Sequence, residues 1–195
     1  MNSKDIFILY EQEHNINSFL LRLVLNEKEI PFKPIILSFD KLPKHVKECA
    51  YEKRFPIIQD RDLVLNDTQQ IIEYIENRYP APKLFPFMPD EKAQYHSICG
   101  KLKEELFAEI ELLTKNKDQI SFERFLKSLS ELNCVFQESR YFLSAEYSIL
   151  DCFIVAALHF TDTYNICEIK QNSLLNAYKK DCYKRNNYIQ SCKCF

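Results

Sequence analysis

Tyr141 to Phe160 reads YFLSAEYSILDCFIVAALHF, and the fold is decided inside it. From Ile149 onward the side chains are apolar almost all the way round a helix: Ile149, Leu150, Cys152, Phe153, Ile154, Val155, Ala156, Ala157, Leu158 and Phe160. A helix without a polar face belongs at the centre of a core. Its start is marked by Ser148-Ile149-Leu150-Asp151, a capping box. There the Ser148 hydroxyl accepts the Asp151 amide, and the Asp151 carboxylate reaches back to the Ser148 amide. Tyr147 and Cys152 stand where a hydrophobic staple fixes the entry angle. An aromatic turn, Tyr141-Phe142-Leu143-Ser144, leads in.

The pattern around this helix is helical from Glu91 to the end. Tyr95, Cys99, Leu102, Leu106, Ile110 and Leu113 mark a long amphipathic helix, whose first half is read as facing a partner chain or the other domain. Phe122, Phe125, Leu126, Leu129, Leu132 and Phe136 mark an antiparallel successor. Leu174 to Tyr183 and a short segment near Tyr188 close the bundle. Upstream, Tyr79-Pro80-Ala81-Pro82-Lys83-Leu84-Phe85-Pro86-Phe87-Met88-Pro89 admits no helix and reads as a domain join. Leu84, Phe85 and Phe87 are expected to pack between the domains, and the prolines to form either a spacer or a rigid exposed dock.

The first eighty residues change period. Ile6 to Tyr10 reads as a strand, Asn17 to Lys28 as a helix and Phe32 to Leu37 as a strand parallel to the first. Leu42 to Tyr51 is a weaker helix. Phe55 to Asp60 and Leu63 to Asn66 form an antiparallel hairpin. Asp67-Thr68-Gln69-Gln70 opens a helix capped by Asp67, with Ile71, Ile72 and Ile75 as its buried stripe. The expected organisation is α/β plus all-α: a thioredoxin-like domain over 1–80, a proline-rich join over 81–90 and a helical bundle over 91–195.

Composition narrows the function. A net charge of −2 argues against a direct nucleic-acid binder, so any action near DNA runs through another protein. No apolar run has the length of a membrane span and no basic-apolar leader is seen, which predicts a cytoplasmic protein without a membrane partner. The eight cysteines are scattered, read as buried free thiols rather than disulfides, and the tail pair Cys192 and Cys194 lacks the spacing of zinc pairs. His14, His45, His96 and His159 form no metal or triad spacing, so no metal is expected. Gly100 is the single glycine. Phosphate-cradling glycine loops are absent, few positions are expected to need a positive φ, and no cofactor is expected.

The two-domain order resembles the glutathione S-transferase superfamily. In detail it looks most like the stringent starvation protein A family, whose members associate with RNA polymerase. Arg22 to Lys28, Pro56 through Tyr74, the join with Pro80, Pro82, Pro86 and Pro89, and Tyr141-Phe142-Leu143-Ser144 with Ser148 to Cys152 carry that resemblance.

It implies a cis bond before Pro56 and a glutathione site built from Phe55, Pro56, Asp67 and Thr68. At that site a helix N-terminus would receive the ligand carboxylate; plain helix capping also accounts for Asp67 and Thr68. In the Ser and Cys transferase classes the thiol-activating residue lies seven positions before the arginine matched by Arg22, which lands on Asn15. Asparagine has no proton to exchange and is no nucleophile. Ser18, read as a cap or outward-facing residue, and Tyr10, read as a core or interface aromatic, are the remaining hydroxyls. No catalytic residue is therefore assigned. The resemblance implies a transcription regulator that binds RNA polymerase holoenzyme through Tyr79, Pro80, Ala81, Pro82 and Lys83. It also implies a homodimer, or a heterodimer with a paralogue. An active glutathione-dependent enzyme and a dimeric scaffold without polymerase contact stand as alternatives.

Overall fold

The structure, a computed structural model, describes residues 6–50, 53–115, 119–136, 139–167, 169 and 173–193. The chain divides into two compact units, Met1–Lys83 with Gln190–Phe195, and Leu84–Ile189.

The first unit runs β1 (Phe7–Glu11), α1 (Ile16–Glu27), β2 (Phe32–Ile36), a 3-10 turn (Phe39–Lys41), α2 (Lys44–Cys49), β3 (Ile57–Asp60), β4 (Leu63–Leu65) and α3 (Thr68–Arg78). The sheet order is β2-β1-β3-β4, with β1 and β2 parallel and the β1–β3 and β3–β4 pairs antiparallel. This is the thioredoxin-like arrangement expected from the β-α-β reading and the hairpin. α1 is buried along almost its whole length, Phe19, Leu20, Leu21, Leu23 and Leu25 being fully enclosed. α2 is shorter than the Leu42–Tyr51 reading, because Pro43 forms its cap and the preceding turn is 3-10; Tyr51 lies outside the described residues.

In the second unit α4 (Pro89–Lys101) continues through a π-helical turn (Leu102–Phe107) into α5 (Ala108–Lys115). Then come α6 (Gln119–Val135), α7 (Ile149–Thr163), α8 (Leu174–Tyr183) and α9 (Asn186–Cys192), whose last residues group with the first unit. α7 is the apolar core helix, and every side chain from Ile149 to Leu158 is buried. The long helix departs from a uniform period. The wide turn, which closes i→i+5 bonds, turns both Leu106 and Phe107 inward. Phe107 then stacks on Phe153 with centroids 5.4 Å apart. Pro89, read as part of a helix-free join, is the first residue of α4, where its missing N–H has no intrahelical partner to lose.

Several expectations are corrected. Leu84 and Phe85 are buried, but Phe87 is 87% exposed. Phe85 stacks on His96 (4.7 Å) within the second unit. A chain with one glycine nonetheless places His14, Glu29, Arg61, Leu143 and Asn165 at positive φ. Glu29 and Asn165 end α1 and α7 in the left-handed cap where glycine is usual. The amides that follow complete each motif, Ile30 N–H to Leu25 O (2.9 Å) and Ile166 N–H to Thr161 O (3.0 Å). The cysteines are free among the described residues, yet only Cys99, Cys152 and Cys182 are buried, whereas Cys49 and Cys134 are exposed. Burial pushes the Cys99 and Cys182 thiols up to about 12. Cys194 lies outside the described residues. No described helix is long and apolar enough to cross a membrane.

Candidate functional site

Sheet register gathers one set of residues at one end of the first unit. Tyr10 at the end of β1 pairs with Ile57 at the start of β3, and Ile58 pairs with Leu65 at the end of β4. The loop from Glu11 to Asn15, the Phe55-Pro56 entry to β3 and the Asp67-Thr68 start of α3 therefore leave the sheet at the same end. Pro56 and Asp67 each lie two residues beyond the Ile58–Leu65 pair, at the same end of the hairpin. The Phe55–Pro56 peptide is cis. Phe55 is buried with Tyr10, Leu42, Val46 and Ile57, and meets Phe39 edge-on at 6.3 Å. Asp67 caps α3 by accepting the Gln70 amide at 2.9 Å, and Thr68 is buried behind it.

Asn15, where the family resemblance puts the thiol-activating position, is a helix cap. Asn15 Oδ1 accepts the Ser18 amide at 2.9 Å and the Ser18 hydroxyl at 3.2 Å. Ser18 is thus neither the cap nor outward-facing, as the sequence reading had it: it is buried in the first turn, tied to the cap by its own hydroxyl. Tyr10 is a core residue that donates its phenol to Gln59 Oε1 at 3.0 Å, and burial raises its pKa. Among the described residues no group of three or more His, Cys, Asp or Glu side chains is placed to hold a metal ion.

The other end of the same unit carries the join. α1 and α3 both start at the Asn15 end, and their C-termini come together where Lys28, the last cap of α1, meets Glu76 of α3 at 2.6 Å. Lys28 is 3% exposed, and its ammonium also donates to the Pro82 carbonyl at 2.6 Å. The end of α3 is also fixed from the sheet side. Arg78 pairs with Asp60 and lies over the rings of Phe7, Tyr74 and Tyr79 at 5.8, 5.9 and 5.5 Å. Tyr79 is half-buried against Phe7, whereas Pro80, Ala81, Pro82 and Lys83 are exposed. The join is thus a short exposed segment on an anchored backbone. In the sequence Lys28 marks the end of the first helix and of a matching segment, and nothing more. Its partners lie far along the chain, and a lone lysine after an apolar helix gives no local signal of burial.

In the second unit Asp151 does more than close the capping box. Its carboxylate accepts the Ser148 amide (2.9 Å), the Ser148 hydroxyl (3.1 Å), the Phe142 amide (2.8 Å) and the Tyr178 hydroxyl (2.8 Å). It ties the aromatic turn, the start of α7 and the middle of α8 to one buried group. Burial outweighs those four bonds and holds its pKa above the ordinary carboxylate range.

Known proteins share this fold. The family model for the glutathione S-transferase N-terminal domain matches residues 17–83. The chain is 26% identical to a stringent starvation protein A homologue of Haemophilus ducreyi, over 97% of this chain and 91% of that protein. It is 24% identical to the homologue of Histophilus somni, over 97% and 92%. Among solved structures, a diazinon-metabolizing glutathione S-transferase of the silkworm Bombyx mori superposes with a TM-score of 0.81 at 18% identity, over 96% of this chain and 94% of that one. At that identity the likeness establishes the fold alone. The chain thus has a glutathione S-transferase-like fold, and the family it resembles along nearly its whole length is that of stringent starvation protein A.

Proposed function

We propose that this chain is a transcription regulator that binds RNA polymerase holoenzyme through Tyr79, Pro80, Ala81, Pro82 and Lys83, as a dimer, without transferase activity. The observation that carries the reading is the exposed Pro80-Ala81-Pro82 segment on an anchored backbone, in a chain that resembles the stringent starvation protein A homologues end to end. Two prolines fix φ and offer no N–H, so the segment loses little entropy when a protein surface docks on it. Tyr79 adds an aromatic edge and Lys83 a charge.

Loss of transferase chemistry follows from Asn15. Its carbonyl is engaged in capping α1, and its amide has no proton to give up near neutral pH. A second reading, weak glutathione binding without turnover, draws support from Asp67 and Thr68, which open a helix beside Pro56 at the same sheet end.

The test is a pull-down of holoenzyme with the double variant Pro80→Ala, Pro82→Ala, alongside a conjugation assay with glutathione and a reactive electrophile. The expected result is a folded, dimeric variant that no longer retains polymerase, and no turnover by the unaltered protein. Wild-type retention by the double variant reduces the join to a spacer. Turnover that vanishes in Ser18→Ala or Tyr10→Phe restores the enzyme reading.

A further inference from the structure

We infer that Lys28 is the positioning residue of the join: the buried Lys28–Glu76 pair holds the exposed proline segment in one conformation from beneath. This rests on the reading of that segment as the partner-binding site, and deepens it. The two prolines cannot donate a bond to fasten the segment. Pro80 and Pro82 have no N–H, so their only backbone hydrogen-bonding groups are carbonyls, and a carbonyl needs a donor from elsewhere. Lys28 supplies one, 2.6 Å from the Pro82 oxygen. A lysine carries three donors; the Glu76 carboxylate at 2.6 Å takes a second and balances the charge.

The placement of this cation is itself constrained. Lys28 caps the C-terminus of α1, where the helix carbonyls favour positive charge. The next residue, Glu29, turns the chain away at a φ of 54° through the left-handed cap, leaving the Lys28 side chain inside the unit rather than in solvent. A fully buried ammonium is costly unless paired and hydrogen-bonded, so the folded unit strongly favours the geometry in which both contacts are made. That geometry places the Pro82 carbonyl, and with it the face presented by Pro80 and Ala81. A join that populated its binding conformer only about a tenth of the time would bind about tenfold more weakly at identical contacts.

The experiment is the backbone 15N order parameter of Ala81 and Lys83 in the intact protein, paired with holoenzyme affinity. In the unaltered protein both are expected near the rigid-backbone value of about 0.85. The double variant Lys28→Met, Glu76→Met removes both charges together. It should bring both order parameters below about 0.6, leave α1 and α3 rigid, and weaken polymerase binding about tenfold. Leu129→Ala, in the core of the other unit, is the control: it lowers stability without changing order at the join. Order parameters already below about 0.6 at Ala81 and Lys83 in the unaltered protein overturn the inference with no variant needed. So does a Lys28→Met, Glu76→Met protein that keeps both order and affinity while Pro80→Ala, Pro82→Ala loses polymerase. If Pro80→Ala, Pro82→Ala retains polymerase, the binding site is wrong, and the order parameters still decide whether Lys28 holds the join.

Discussion

Replacing Asp151 by alanine should be among the most damaging single changes in the helical unit. The side chain is fully buried and accepts four hydrogen bonds, from the Phe142 and Ser148 amides and the Ser148 and Tyr178 hydroxyls. Each buried donor left without a partner costs about 1–3 kcal/mol. Two effects reduce the sum: the serine hydroxyl is free to rotate, and the variant is relieved of a carboxylate whose burial raises its pKa. The net expectation is a loss of about 3–5 kcal/mol, a large part of the 5–15 kcal/mol that separates typical folded and unfolded states. There is no tryptophan, so urea unfolding is best followed by far-ultraviolet circular dichroism. With a denaturant slope of about 2 kcal/mol per molar, the midpoint should fall by about 1.5–2.5 M. Tyr178→Phe removes one of the four bonds and should cost about 1–2 kcal/mol. A midpoint shift below about 0.5 M for Asp151→Ala, equivalent to about 1 kcal/mol, would refute the idea that this carboxylate joins three elements.

Two further outcomes are expected. Glu29→Gly relieves a left-handed residue of its Cβ and should stabilise the protein by about 0.5–1 kcal/mol, the gain being reduced by the greater freedom of glycine in the unfolded chain; an unchanged or lower thermal midpoint contradicts this. Glu11 is buried against Arg22, and desolvation outweighs that partner to raise its pKa. A carboxyl with a raised folded pKa contributes most below its unfolded value and progressively less as pH climbs through the folded one. The stability gap between the unaltered protein and Glu11→Gln should therefore narrow as pH climbs above the ordinary carboxylate range of about 4 in urea titrations, and a widening gap would mean the sign is wrong.

What the sequence disclosed and what it concealed divide by range. The capping box at Ser148, the Asp67 cap and the β-α-β order rest on neighbours a few residues apart, where period and cap chemistry act. Lys28, Glu76 and Pro82 lie on three separate segments, and no periodicity connects them. Tyr178 reaches Asp151 from another helix, so the capping reading found the acid but not its further partners. The π turn escaped because a 3.6-residue period was assumed throughout, and one wide turn moves Phe107 into the core without altering the composition. Glycine scarcity misled for a related reason. It suggested few left-handed positions, whereas the structure places Glu29, Leu143 and Asn165 there, the helix ends at Glu29 and Asn165 being closed by the Ile30 and Ile166 amides that follow them. At the candidate site, the identity of Asn15 was legible, but the burial of Ser18 behind it depended on the whole unit being assembled.

The first unit is not finished when its own segment is made. The Arg22 guanidinium bonds Glu11 and reaches the Ser191 carbonyl at 3.4 Å, while Asn26 donates to the Ser191 hydroxyl at 2.8 Å. Arg22 and Ser191 are 169 residues apart. At a synthesis rate of about 5–20 residues per second, the nascent sheet and first helix wait roughly ten to thirty seconds for the carbonyl that completes the shell of a buried charge. During translation the unit whose strands are made first thus waits for a segment made 169 residues later.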